Sequence, residues 1–106
     1  MELSRVQEEI LLVLNNSDRA LYEGEIIKMI NFDRPKQWKK ISQASLNRTL
    51  SRMVDKQLIE IAYVDLQNYN RKYYGILDEG LLSLMQSKDN RKRLGRVSNE
   101  FCAKIS

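Results

Sequence analysis

The stretch Ser42-Gln43-Ala44-Ser45-Leu46-Asn47-Arg48-Thr49-Leu50-Ser51-Arg52-Met53-Val54-Asp55-Lys56-Gln57-Leu58-Ile59 decides how the chain is read. Leu46, Leu50, Met53 and Val54 recur at helical spacing and form one apolar stripe. Ser42 suits the N-cap, because its hydroxyl can accept from a first-turn N–H. The spacing predicts a helix over 42–56. At about 100° per residue, the face opposite the stripe carries Ala44, Ser45, Arg48, Ser51, Arg52 and Asp55. That face is small, polar and basic over its first three turns. The helix runs out into Leu58-Ile59, where the residue types change to β-formers.

Downstream, residues 58–64 and 72–77 are rich in β-branched and aromatic residues. The polar segment 65–71 between them contains two asparagines and Tyr69, which predicts a β-hairpin with a longer tip than a two-residue turn. Tyr73 and Tyr74 alternate across a strand, so one should be buried and the other exposed. Asp78 is expected to cap a fourth helix over 79–87, with Leu81, Leu82, Leu84 and Met85 as its apolar residues. Residues 88–93 interrupt that pattern. Leu94, Val97, Phe101 and Ile105 resume it as a seam like that of a packed or paired helix. Upstream, Leu3, Val6, Ile10, Val13 and Leu14 predict a helix over 4–15, followed by a turn at 15–18. A second helix is expected over 21–31, with Ile26, Ile27 and Ile30 facing inward. Asp33-Arg34-Pro35 should end it, because a residue before proline avoids the helical region. Trp38 is read as a packing residue covering the connection to the next helix.

The bulk numbers bound the function. The chain has 106 residues, enough for one domain with one modest core. Apolar residues make up 42%, within the globular range. No stretch approaches the roughly 20 apolar residues of a membrane span. The first residues show no basic region followed by an apolar one, so a cytoplasmic protein without a signal peptide is expected. One cysteine, Cys102, cannot form an internal disulfide, and the absence of histidine argues against a zinc site. It also removes the commonest general acid–base residue. No glycine-rich phosphate loop is present. No enzyme activity and no cofactor are expected. Charge is uneven: residues 1–33 carry a net −4 and residues 34–106 a net +8. Such a split suits an anionic partner approaching from one side.

The order helix, helix, helix, strand, strand, helix, helix, with the third helix apolar inside and basic outside, resembles the winged helix-turn-helix regulators. Residues 42–59 look like their recognition helix and its exit. Arg71-Lys72-Tyr73-Tyr74-Gly75-Ile76-Leu77-Asp78-Glu79-Gly80 is similar to their second wing strand, which ends Tyr-X-Leu-Thr-X-X-Gly. Small archaeal and PadR- or MarR-like regulators are nearest in style, and the resemblance covers about 4–87. Gln57 stands where many members have glycine, so a tighter helix exit is expected. Asp78 replaces the usual threonine and preserves a capping oxygen.

The fold class implied is mainly α with a small β-hairpin, an α+β winged helix-turn-helix with additional C-terminal helices. Residues 1–87 would form the DNA-binding domain and 88–106 a dimerisation element. The function implied is sequence-specific binding of double-stranded DNA by a homodimeric transcriptional regulator, with no membrane partner. Helix 42–56 would lie in the major groove, which is about 12 Å wide and admits one helix. Ser42, Gln43, Ser45 and Asn47 can hydrogen-bond to base edges or phosphates. Arg48 can pair bidentately with guanine or grip phosphate. Arg52 extends the basic outward face. Lys39 and Lys40 would grip the backbone ahead of the helix, and Arg71 and Lys72 would do so from the hairpin. Each has a plainer role open to it: an N-cap for Ser42, an internal salt bridge for Arg48, solvation for the lysines. Two other functions fit the same fold, a protein-interaction adaptor and a replication or partition factor.

Overall fold

The structure, a computed structural model, describes residues 3–92, with side chains through residue 87. Helix α1 (Arg5–Asn16) begins where Ser4 provides a reciprocal cap. The Ser4 hydroxyl accepts from the Gln7 N–H at 3.2 Å, and the Gln7 side chain accepts from the Ser4 N–H at 3.0 Å. Ile10, Leu11 and Leu14 turn inward. Helix α2 (Glu23–Asp33) follows, burying Ile26 and Ile30. It stops at Asp33, and Arg34 takes an extended conformation (ψ 138°) ahead of Pro35. Helix α3 (Gln43–Asp55) buries Leu46, Leu50 and Met53 against these two.

The expected second helix starts two residues late. Leu21–Tyr22 is a short strand, β1, and the sheet has three strands rather than a hairpin alone. Strands β2 (Ile59–Asp65) and β3 (Arg71–Ile76) form the hairpin, and β1 pairs antiparallel with β3. The order is β1-β3-β2. Leu21 lies opposite Tyr74 and Tyr22 opposite Tyr73. The strand wins over a longer helix because Leu21, fully buried, fills the core from the sheet edge while its backbone completes the ladder. Burying a side chain of this size contributes about 1.5–3 kcal/mol. Tyr74 is buried, as one of the adjacent tyrosines must be. Tyr73 is only half-buried, packed edge-on to Tyr22 and stacked on Tyr63 at 4.4 Å between ring centroids.

Helix α4 is described over Asp78–Lys92, past the end expected at 87. Asp78 is its first helical residue rather than its cap, where its charge still favours the helix N-terminus. Leu84 joins the core. Ser87 donates to the Glu8 carboxylate at 2.6 Å, linking α4 to α1. Gly80 sits in the first turn of α4 against the Leu58 backbone: a Cβ there would lie 2.1 Å from the Leu58 carbonyl oxygen. The apolar seam 94–105, Cys102, Arg93 and Arg96 lie outside the described residues.

Candidate nucleic-acid interface

Helix α3 is held at both ends by backbone chemistry. At its start the Ser42 hydroxyl accepts from the Ser45 N–H at 3.2 Å. One residue earlier, the Asn31 side-chain amide clamps Ile41. Its Oδ1 accepts from the Ile41 N–H at 2.9 Å, and its Nδ2 donates to the Ile41 carbonyl at 3.2 Å. Arg34 fixes the connection itself, pairing bidentately with Glu9 of α1 and donating to the Lys39 carbonyl. This pair raises the Arg34 pKa above its ordinary value, the Glu9 hydrogen bond being the main cause. Trp38 is exposed rather than packed in the core, and its described contact is with the Arg5 guanidinium, which lies over the ring 4.0 Å from its centroid.

At its end, α3 closes with a paired C-terminal motif. The Leu58 N–H donates to the Met53 carbonyl and the Gln57 N–H to the Val54 carbonyl, both at 3.0 Å. Gln57 carries the left-handed conformation this requires, with φ 61°. The departure from glycine noted in the sequence is therefore a real cost at the helix exit.

The wing tip is organised by Asp65 and by two left-handed residues. The Asp65 carboxylate accepts from the Asn68 side chain at 2.7 Å and from the Gln67 N–H at 3.1 Å. Those bonds, the Asn68 one foremost, hold its carboxyl below the usual carboxylate range. Tyr69 (φ 56°) and Asn70 (φ 57°) then turn the chain back, with the Arg71 N–H donating to the Asn68 carbonyl. Positive φ at both central positions is the signature of a type I′ turn, whose twist matches a hairpin. Tyr69 is left 98% exposed at the tip.

Between α3 and the wing lies a cleft of about 500 Å³. The flank of α3 contributes Gln43, Asn47 and Ser51, and the wing contributes Asn70, Arg71 and Lys72. Tyr22, Glu23 and Tyr74 complete the lining. The Glu23 Oε1 is buried without a hydrogen-bond partner. Burial, and after it the Glu23 charge, pushes the Tyr74 hydroxyl above its ordinary pKa. Arg71 rests on the Tyr22 ring, 4.0 Å from its centroid.

Of the candidate residues, the fold brings Gln43, Asn47, Arg71 and Lys72 together on this cleft. Arg48 and Arg52 are exposed on the α3 surface outside it and pair with no other described residue. Lys39 and Lys40 are exposed on the connection before α3. Ser42 and Ser45 are engaged in the helix cap, and the Ser45 carbonyl also accepts from Thr49 Oγ1 at 3.0 Å. Ser51 and Asn70 were not among the candidates. Ser51 was legible as an outward residue, and Asn70 as one of two asparagines in the tip. Among the described residues no group of acidic or cysteine side chains is arranged to hold a metal, and no helix is long and apolar enough to cross a membrane.

Three helices, a wing built on β2 and β3, and a short β1 closing the sheet define an α+β winged-helix protein. No protein-family model and no curated protein matches the sequence. Its structural neighbours include PadR-family transcription regulators. A PadR family transcription regulator from Clostridium difficile is 25% identical with a TM-score of 0.72, covering 93% of this chain and 99% of its own. A PadR-like transcriptional regulator from Bacillus cereus is 27% identical, with a TM-score of 0.66 and coverage of 84% and 82%. RosR of H. salinarum, at 18% identity, TM-score 0.71 and coverage of 97% and 86%, shares the fold alone. These PadR neighbours belong to a non-enzymatic family, in agreement with the expectation that the chain is not an enzyme.

Proposed function

We propose that the protein is a DNA-binding transcription regulator that reads duplex DNA as a homodimer, with α3 in the major groove and the wing alongside. The observation that carries this reading is the surface of α3. Its exposed crest bears Ala44, Arg48 and Arg52, and neither arginine is consumed by an internal ion pair among the described residues. An unpaired guanidinium beside a small residue can approach a base edge or a phosphate closely. Lys39, Lys40, Arg71 and Lys72 flank the same surface and would hold the backbone. The PadR-family neighbours support the regulatory role.

The dimer is supported by apolar surface left in water. Phe32 is 87% exposed on α2, and Leu82 is 49% exposed on α4. A cleft of about 400 Å³ between α1 and α2 is lined in part by Leu12, Val13 and Met29. The segment 88–106, with its apolar seam, is the proposed dimerisation element, and 1–87 the DNA-binding domain. A cytoplasmic location goes with this role.

Selection from a random duplex library tests the reading. Enrichment of an inverted repeat, with half-sites about 10 bp or a multiple apart centre to centre, is the expected result. A single half-site would reject the dimer but keep the DNA contact. No enrichment and no retained duplex at low salt would reject DNA as the partner.

A further inference from the structure

We infer that the cleft between α1 and α2 is a binding site for a small apolar molecule carrying one amine, and that its occupancy is felt at α3 through Arg34. The site stands by itself; its regulatory consequence rests on the DNA-binding reading. The cleft holds about 400 Å³, within the roughly 300–1,000 Å³ usual for ligand pockets. Its walls are apolar, Leu12 and Val13 from α1 and Met29 and Ile30 from α2. Ile30 belongs to the buried core, and Leu12 and Val13 pack against that core, so the floor of the cleft is fixed. Glu9 and Asp33 complete one end, since Asp33 adjoins Arg34 and Arg34 reaches Glu9. Among the described residues Asp33 enters no ion pair. Arg34 neutralises Glu9, so this end keeps one uncompensated negative charge. A carboxylate at the mouth of an apolar cleft favours a monovalent cation with an apolar body over its neutral or anionic analogues. Phe32 and Leu82, the more exposed apolar residues of α2 and α4, are not in the lining and remain for a second copy.

Arg34 ties this end of the cleft to α3. Its guanidinium bonds both Glu9 oxygens, at 3.0 and 2.6 Å, and donates to the Lys39 carbonyl just ahead of α3. Only 11% of the Arg34 side chain and 20% of the Glu9 side chain are exposed, so solvent screens the pair weakly. An ammonium seated between Asp33 and Glu9 competes for the same carboxylate and repels the guanidinium. The connection then keeps the Asn31 clamp on Ile41 but loses the hold of Arg34. Trp38, the single tryptophan, lies in that connection with the Arg34 guanidinium 5.9 Å from its ring centroid, and reports the change. A ligand that loosens the segment before α3 lowers the affinity for duplex, and by linkage duplex lowers the affinity for the ligand by the same factor.

The test titrates phenylbutylamine into the full chain, with phenylbutanol and phenylbutanoate as its neutral and anionic analogues. Binding is followed by the methyl NMR signals of Leu12 and Val13 and by Trp38 emission, and thermal melts confirm that each variant is folded. The amine should bind about five-fold tighter than either analogue and shift the Trp38 emission. Asp33→Asn should remove that preference and leave phenylbutanol binding unchanged. Met29→Lys, which fills the cleft with an ammonium of its own, should abolish binding of all three. Saturating amine should weaken duplex binding by about five-fold, and duplex should weaken amine binding equally. Equal affinity for the three probes, amine binding indifferent to Asp33→Asn, or no binding would overturn the site. Methyl signals that shift with protein concentration and not with the probes would give the cleft to a second copy instead. Amine binding without effect on duplex binding would overturn the relay alone. Amine binding by a protein that retains no duplex would reject the DNA reading and leave the site standing.

Discussion

Gln57 holds a left-handed conformation with φ 61° so that Leu58 can bond back to Met53 and close α3. For a side chain with a Cβ this conformation costs roughly 1–2 kcal/mol, whereas glycine adopts it freely but loses more chain entropy on folding. Gln57→Gly should therefore stabilise the protein by about 0.5–1 kcal/mol, read as a higher denaturation midpoint at unchanged m-value. A lower midpoint would mean that the glutamine side chain makes a compensating contribution. Gly80 is constrained for the opposite reason, by space rather than by φ. A Cβ would meet the Leu58 carbonyl at 2.1 Å and a Leu11 methyl at 3.0 Å, both fixed by the core. Gly80→Ala should destabilise by about 1–3 kcal/mol or more, because α4 must shift to accommodate it. Equal stability in urea unfolding would show that α4 is not seated as described.

At the scale of elements, the junction of β1 and α2 carries a pH dependence. Glu25 accepts from the Tyr22 N–H at 3.2 Å and pairs with Arg19. The Arg19 hydrogen bond, chiefly, holds its carboxyl below the ordinary value of 4.5. A depressed carboxylate contributes stability that is present above the unfolded value and lost as pH falls through the folded one. Wild type should thus exceed Glu25→Gln in stability at neutral pH, with the gap closing as pH falls below about 4.5. A gap independent of pH would contradict that account. The same junction marks the limit of what periodicity reveals. Helices α1 and α3 and both wing strands follow from local pattern, since their apolar spacing and caps are all within a few residues. Strand β1 does not: two residues show no alternation, and Leu21 fits a helical stripe as well as a strand. What decides it is Tyr73 and Tyr74, some fifty positions on, offering an unpaired edge. The wing tip is similar. Its length was legible from the polar run, but left-handed Tyr69 was not, because an aromatic residue is an unusual choice there. Gln43 and Asn47 could be placed on the helix flank from spacing alone. That the flank faces Asn70 and Lys72 across a cleft depends on where the sheet docks, which is tertiary information.

Over the whole molecule, basic charge gathers around α3 and the wing, which also exposes Tyr63, Leu66 and Tyr69. The net −4 of residues 1–33 and the net +8 of the rest give one end of the chain a pull toward polyanions. The exposed Lys39, Lys40, Arg48, Arg52 and Lys72 surround α3 and the wing. Phe32 and Met29 lie instead on α2, where a second copy can cover them. On the reading proposed above, the first of these surfaces binds duplex DNA. The decisive measurement is the anisotropy of labelled duplex titrated with protein from about 50 to 200 mM salt, wild type against Arg48→Ala. About five phosphate contacts per bound unit give a log–log slope near −4.5 and a loss of several hundred-fold in affinity across that range. Such a slope, with a marked loss in Arg48→Ala on the selected site, is the predicted result. Absence of binding to any duplex at the lowest salt would contradict it.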